Sequence, residues 1–390
     1  MKKSSTKKQK TFNVSYIVLP VLIGVIFISY TYSKHTTSVV GSEVQSQIYY
    51  PTVYSDTHIT KNAITSNSQF EKVYLENNNT LLSNVVSSVN NQNLTIKAVE
   101  EEKGTWLWTD TLKITPEYRD RIIQAAQKNG IKNIYLSIDT YLDIFVMPDG
   151  PEKDMRKKEF ENVLRSFITE ANRNDITVDA EAGWRNWAET DNTYKAFAIL
   201  DFVKDFNSTY EQKFRGVQYD IEPYLLPDFE TNKKKILNNF LGLADGVISQ
   251  MNDTELELSF VIPEFYDGVD GRTPRLFYGF RTTYAFDHLI RILDKRPNSK
   301  IIVMSYRNFT EGIDGAISIS KDEIQRANKY NTKVILAQEF GDIDPAIYTF
   351  HNTSRTYYKQ YIQTLEDSFN SDKSFGGIAL HYINAFMELN

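Results

Sequence analysis

The chain contains no cysteine, which excludes disulfides, thiolate metal sites, a cysteine nucleophile and a lipid-modified cysteine anchor. Histidine is scarce as well. The five histidines of the 390 residues form no His-x-His or His-x-x-x-His pair, so the ligand set of a histidine-rich metallohydrolase is missing. With 17 glycines and 11 prolines the chain is too poor in both to be collagen-like or of low complexity. Outside residues 1–10, which hold five lysines and no acid, 39 Lys and Arg face 50 Asp and Glu. A body this acidic cannot neutralise a phosphate backbone, and nucleic acid is excluded as a partner. Nor is there a Gly-x-Gly-x-x-Gly turn, a phosphate loop or a Gly-x-Ser-x-Gly elbow. What the chain has is 41% hydrophobic and 13% aromatic residues, enough for a large core and for aromatic surfaces.

The amino end divides by charge. Residues 1–10 read as a basic cytoplasmic tail and residues 11–33 as an uncharged stretch of 23, centred on the apolar run from Tyr16 to Tyr30. As a helix this stretch spans roughly 34 Å, enough to cross a bilayer, and the preceding lysines hold the amino end in the cytoplasm. The expectation is a retained, single-pass signal anchor. A secreted form cut near Val40-Gly41-Ser42 is the alternative. Residues 34–97, rich in Ser, Thr, Asn, Gln and Val, read as a polar stalk.

Residues 98–390 carry eight apolar or alternating runs separated by helix-like segments. The runs are 105–110, 133–139, 177–184, 216–222, 257–264, 301–306, 334–339 and 377–382. Eight βα units in this length predict a (β/α)8 TIM barrel, whose reactive groups lie at the carboxyl ends of the strands. Thr115, Pro116 and Gly130 punctuate the first connecting helix as N-cap, first helical residue and terminator.

Those strand ends are acidic: Asp110, Asp139, Glu181, Asp220, Glu222, Glu264 and Glu339 all fall at or near them. Alternation on the fourth strand sends Val217, Tyr219 and Ile221 outward and Gln218, Asp220 and Glu222 inward. On the third, Asp179 and Glu181 point inward. Crowded carboxylates resist full ionisation, so one member should keep a proton near neutrality, as a general acid must. For Asp110 and Asp139 the competing role is structural, as strand-end caps or partners of Arg185, Arg215 and Arg307. An oxygen-only divalent site is the alternative use of the acids, but the pattern assigns no metal and no cofactor. Paired carboxylates with aromatics at the rim suit glycoside hydrolysis. Trp106, Trp108, Trp184 and Trp187 lie at or just beyond strands one and three, with Trp184 and Trp187 as the expected sugar platforms.

The run Phe214-Arg-Gly-Val-Gln-Tyr-Asp-Ile-Glu222 resembles the strand-four signature of family 18 glycoside hydrolases, the chitinases and endo-N-acetylglucosaminidases. Val303-Met-Ser-Tyr306 is similar to that family's Met-x-Tyr, and Gly376-Gly377 to its Gly-Gly. The resemblance implies Glu222 as general acid, Asp220 orienting a 2-acetamido group, and Tyr306 bonding its carbonyl. The chain departs from the pattern at Arg215, Gln218, Arg307 and His381, where the family has acids and, at the last, a tryptophan. Ile221-Glu-Pro223 is also similar to the Asn-Glu-Pro of clan A glycosidases, which implies Glu222 as acid/base and Glu339 as nucleophile. Both resemblances meet at Glu222.

The full expectation is a membrane-anchored, extracytoplasmic glycoside hydrolase acting on a cell-envelope or secreted polysaccharide. Its catalytic set is Glu222, Asp220, Tyr306 and Glu339. Trp108, Asp139, Glu181, Trp184, Trp187, Tyr224, Glu264, Arg307 and His381 are the substrate-binding residues. The alternatives are a carbohydrate-binding barrel without turnover and an envelope assembly scaffold. Asp220 and Glu222 are further expected to share a proton, so that Asp220→Asn lowers the alkaline limb of activity.

Overall fold

The computed structural model describes residues 102–389. The basic tail at 1–10, the apolar stretch at 11–33 and the polar segment at 34–97 lie outside the described residues. Among the described residues no helix is long and apolar enough to cross a membrane.

Among the described residues ten strands follow one another: β1 (Glu102–Leu107), β2 (Asn133–Ser137), β3 (Thr177–Ala182), β4 (Gly216–Tyr219), β5 (Glu257–Pro263), β6 (Leu276–Tyr278), β7 (Arg281–Thr283), β8 (Lys300–Met304), β9 (Lys333–Glu339) and β10 (Phe375–His381). Eight of them close a parallel barrel in the order β1-β10-β9-β8-β5-β4-β3-β2, and β6 and β7 form a separate antiparallel hairpin. Helices lie between successive barrel strands, so the architecture is that of a (β/α)8 barrel.

Period-two alternation divides the strands between two cores. Val178, Ala180 and Ala182 of β3 and Val217 and Tyr219 of β4 pack outward with helical residues such as Phe160, Phe167, Phe202 and Phe240. Each such side chain, fully buried, contributes roughly 1.5–3 kcal/mol. Trp106, Tyr135, Val261, Ile302, Ile335 and Ala379 fill the barrel interior. The first helix, Pro116–Lys128, begins where the Thr115 side chain accepts a hydrogen bond from the Tyr118 amide, and the chain leaves it through Gly130 at φ +68°.

The amino-terminal floor of the barrel is ionic. Arg215 reaches Asp179 at 2.6 Å, Glu102 at 2.8 Å and Glu257 at 3.3 Å, and Lys300 reaches Glu102 at 2.7 Å and Glu257 at 2.8 Å. These bonds hold the Asp179 carboxyl below its ordinary range against the opposing effect of burial. Asp179 does point inward, but into the floor and not toward the mouth.

The expected strand ends were too long at the mouth. β1, β2, β3, β4, β5 and β8 stop before Asp110, Asp139, Trp184, Glu222, Glu264 and Tyr306 respectively, because the chain leaves the ladder into turns there. Asp110 accepts from the Leu112 amide at 3.1 Å and from Thr140 Oγ1 at 2.9 Å, which is the capping role. Pro223 opens a 3-10 turn directly after Glu222, and Glu264 begins another. Only β9 runs to its expected acidic end, Glu339.

Candidate active site

β4 delivers two carboxyls to the mouth. Its last residue, Tyr219, packs outward, and the chain continues through Asp220 to Glu222 before Pro223 turns it aside. Gly183 fixes this passage: a Cβ there would lie 1.9 Å from the Asp220 carbonyl oxygen, so only glycine lets the exits of β3 and β4 run this close. Glu181 of β3 pairs in register with Gln218 of β4, which sets its carboxyl beside Asp220.

Four carboxyls thus form one array, Asp139, Glu181, Asp220 and Glu222. Burial raises Glu181 well above the usual carboxyl range, and the charges of Asp139 and Asp220 raise it further. Hydrogen bonds from Ser137 and the Trp108 indole oppose them. Asp220 is likewise raised well above its range by burial, then by Glu222 and Asp139. Asp139 stands at the edge of the array, and desolvation of its carboxyl, with Asp143, pushes it up to about 7 against a hydrogen bond from the Gly183 amide. Glu222 is raised by burial, but three groups work the other way: a hydrogen bond from the Tyr224 hydroxyl, His381 and Arg185. The Oε2 atom of Glu181 and the Oδ1 atom of Asp220 are shut from solvent and accept no hydrogen bond.

A second group faces this array across the barrel. Glu339 and His381 are register partners on β9 and β10, and His381 Nδ1 lies 2.5 Å from Glu339 Oε2. Oε1 of Glu339 accepts from the Phe340 and Gly341 amides at 2.8 and 2.5 Å, so this carboxyl is pinned on both oxygens. The imidazole is 4% exposed and hemmed by the rings of Trp108 at 4.4 Å, Trp106 at 5.4 Å and Tyr306 at 5.5 Å. Tyr382 stacks on Trp108 at 5.9 Å.

The remaining expected site residues are placed differently. Trp184 is 49% exposed with Arg185 over its ring at 5.2 Å, an open platform. Trp187, expected to match it, is only 2% exposed and packs in the outer core, because the 3-10 turn Arg185–Ala188 rotates it inward. Arg307 and Glu264 are committed to ion pairs. Arg307 binds Asp314 at 2.6 Å and approaches Glu264 at 3.9 Å, while Glu264 binds Arg272 at 2.9 Å. Arg307 also lies 4.6 Å from the Tyr348 ring and donates to the Tyr306 carbonyl.

Three features went unread in the sequence. The exposed rings of Phe145 and Tyr194 lie 6.5 Å apart in the segments following β2 and β3, beyond the strand ends where aromatics were sought. The Gly183 contact left only a glycine after an acidic strand as its signal. The His381–Glu339 bond left none, since it depends on strand register. A cavity of about 400 Å³ between residues 188–192 and 228–239 shares no residue with the carboxyl array.

No protein-family model matches the chain, and no curated protein is similar to it in sequence. Among solved structures, an endo-1,4-beta-D-mannanase from Thermotoga petrophila RKU-1 is similar at 13% identity and a TM-score of 0.49, over 72% of this chain and 87% of that one. A GH18 chitinase from Pseudoalteromonas aurantia is similar at 12% identity and TM-score 0.45, over 74% of this chain and 99% of that one. The exo-beta-1,4-mannosidase Op5Man5 from Opitutaceae bacterium strain TAV5 is similar at 10% identity and TM-score 0.47, over 72% of this chain but only 52% of that one. The chain therefore spans about half the length of Op5Man5.

Proposed function

We propose that the chain is a glycoside hydrolase in which Glu222 is the general acid, held at the membrane by residues 11–33 and acting outside the cytoplasm on a cell-envelope or secreted polysaccharide. The single observation that carries the reading is the pair of carboxyls at one barrel mouth, Glu222 held by the Tyr224 hydroxyl and Glu339 pinned on both oxygens. Burial raises the Glu222 carboxyl above its ordinary range, the direction a general acid needs. Protonation of the departing glycosidic oxygen by Glu222 and stabilisation of the positive sugar centre by an opposed carboxylate is the division of labour that glycoside cleavage requires.

Glu339 fits the opposed role with one restriction. Its Oε1 already accepts two amide hydrogen bonds, whereas Oε2 accepts one, from His381, and retains a lone pair. In a double displacement Oε2 is therefore the attacking atom. Trp184, Phe145 and Tyr194 offer rings to a polymer lying across the mouth. Location outside the cytoplasm rests on the uncharged stretch at 11–33 and the lysines before it.

The test is Glu222→Gln in the full chain, assayed for release of reducing ends from a panel of envelope and secreted polysaccharides, with binding followed in parallel. Loss of turnover by about 10²–10⁴-fold with binding retained supports the acid. Binding with no turnover in either protein would leave a carbohydrate-binding barrel, and no binding at all would leave a scaffold.

A further inference from the structure

The carboxyl array is unusual in what surrounds it. Glu181 is 3% exposed, its Oε2 accepts nothing, and the charges beside it are those of Asp139 and Asp220. Asp220 Oδ1 is a second buried acceptor with no donor. A buried oxygen left without a hydrogen bond costs roughly 1–3 kcal/mol, so each such atom calls for a partner, which a bound group can supply. Arg307 is held by Asp314 and Glu264, Arg215 lies in the barrel floor, and Arg185, exposed over the Trp184 ring, bears on Glu222.

The missing donor has a definable chemistry. No group of three His, Asp or Glu among the described residues has the arrangement to hold a metal ion. An acidic sugar would bring one more anionic group to carboxyls that burial and mutual repulsion already keep from ionising. A neutral hydroxyl supplies one proton, whereas an ammonium supplies three in divergent directions together with a positive charge, which makes it the stronger donor to a buried carboxyl. Resting on the glycoside-hydrolase reading above, we propose that the sugar seated against Glu181 and Asp220 carries a free amine, so that the substrate class is a glycan containing de-N-acetylated hexosamine. Glu181 is then a specificity-determining residue, and the acetamido group implied by the family 18 resemblance is replaced by its deacetylated form.

The experiment uses the full chain as Glu222→Gln, so that nothing is turned over. It is titrated calorimetrically with β-1,4-linked and β-1,6-linked glucosamine hexamers and with their fully N-acetylated twins. The amine form is expected to bind at least about tenfold more tightly than its twin for one linkage, the scale of a charge-assisted hydrogen bond. That advantage should shrink between low salt and 0.5 M NaCl and should vanish when Glu181→Gln is added. The salt dependence keeps the idea testable if the double variant folds poorly. Equal affinities, or tighter binding of the acetylated twin, would overturn it. So would failure of both hexamers while another polysaccharide is cleaved by the unmodified protein in a Glu222-dependent manner, an outcome that leaves the hydrolase reading standing. If no glycan is bound or cleaved, the hydrolase reading itself falls and carries this inference with it.

Discussion

Tyr224→Phe isolates the forces acting on the acid. Burial raises the Glu222 carboxyl, and the largest opposing effect is the hydrogen bond donated by the Tyr224 hydroxyl to Oε1. That bond favours the ionised form, since a carboxylate accepts more strongly than a carboxylic acid. A hydrogen bond to a charged group is worth about 1.5–3 kcal/mol, and 1.36 kcal/mol corresponds to one pH unit, so its removal should raise the Glu222 midpoint by roughly one to two units. Carbon-13 titration of the side-chain carboxyls, with Glu222 assigned by its loss in Glu222→Gln, reads the midpoint without any substrate. Activity, where it is measured, should keep its alkaline limb to correspondingly higher pH. Asp220→Asn is the control with a different sign of logic. Repulsion within the pair falls on Asp220, which is pressed by both Glu222 and Asp139, while Glu222 has Tyr224, His381 and Arg185 to stabilise its charge. A limb that stays nearly where it is in Asp220→Asn means that the first proton leaves mainly from Glu222 while Asp220 stays neutral, and a limb that moves down means that the two share it. The lowering of the limb expected from sequence is the second of these outcomes. A Glu222 midpoint that falls or stays put in Tyr224→Phe, in a protein that melts like the parent, would refute the account.

Three further outcomes follow from other parts of the barrel. Glu323 is fully buried with neither oxygen partnered and is raised well above its ordinary range by burial and by Asp267, itself pushed up to about 6. Because its folded-state value exceeds the unfolded one, stability is lost as pH rises from the unfolded through the folded value. Glu323→Gln should thus raise Tm at pH 8 and leave it unchanged at pH 4. Arg215→Met leaves Asp179, Glu102 and Glu257 without their shared cation and should lower unfolding free energy by about 3–5 kcal/mol in urea titrations. Gly183→Ala places a methyl against the Asp220 carbonyl and should cost roughly 1–3 kcal/mol of unfolding free energy in the same assay, and glycan binding with it.

Much of the fold could be read along the chain because barrel strands advertise themselves locally. Val217, Tyr219 and Ile221 alternate with Gln218 and Asp220, and that parity alone predicts which side of the sheet each occupies. Strand termination is less local. Glu222 and Glu264 look like strand residues by composition, yet each belongs to a turn shaped by the neighbouring loop. Trp184 and Trp187 are indistinguishable by type, and only the 3-10 turn between them decides that one opens to solvent and the other enters the core. Contacts across the barrel are least legible. Arg307 was expected to face the substrate, but Asp314, seven residues on, claims it through a loop conformation that no periodicity encodes.

Gln218 gives the last prediction. This β4 amide is 0% exposed, and both its side-chain polar atoms are unpartnered. Its register partner on β3 is Glu181, so the neighbouring strand brings a carboxyl to the same level of the barrel. One acid at this level of the barrel already resists ionisation, and an acid at both positions is one too many. Gln218→Asp would bury another carboxyl beside Glu181, which already holds its proton above the ordinary range. The new group's folded-state value should be raised, so the penalty is absent near pH 4 and grows with pH. At pH 8 it should reach about 3–5 kcal/mol, the scale of an uncompensated buried charge. Adding Glu181→Gln should return much of that loss, because the two positions answer one electrostatic demand. The double-mutant cycle in urea at pH 8 should therefore show coupling of at least about 1 kcal/mol, shrinking toward zero at pH 4. Additive losses at both pH values would mean that Glu181 and residue 218 do not sense each other.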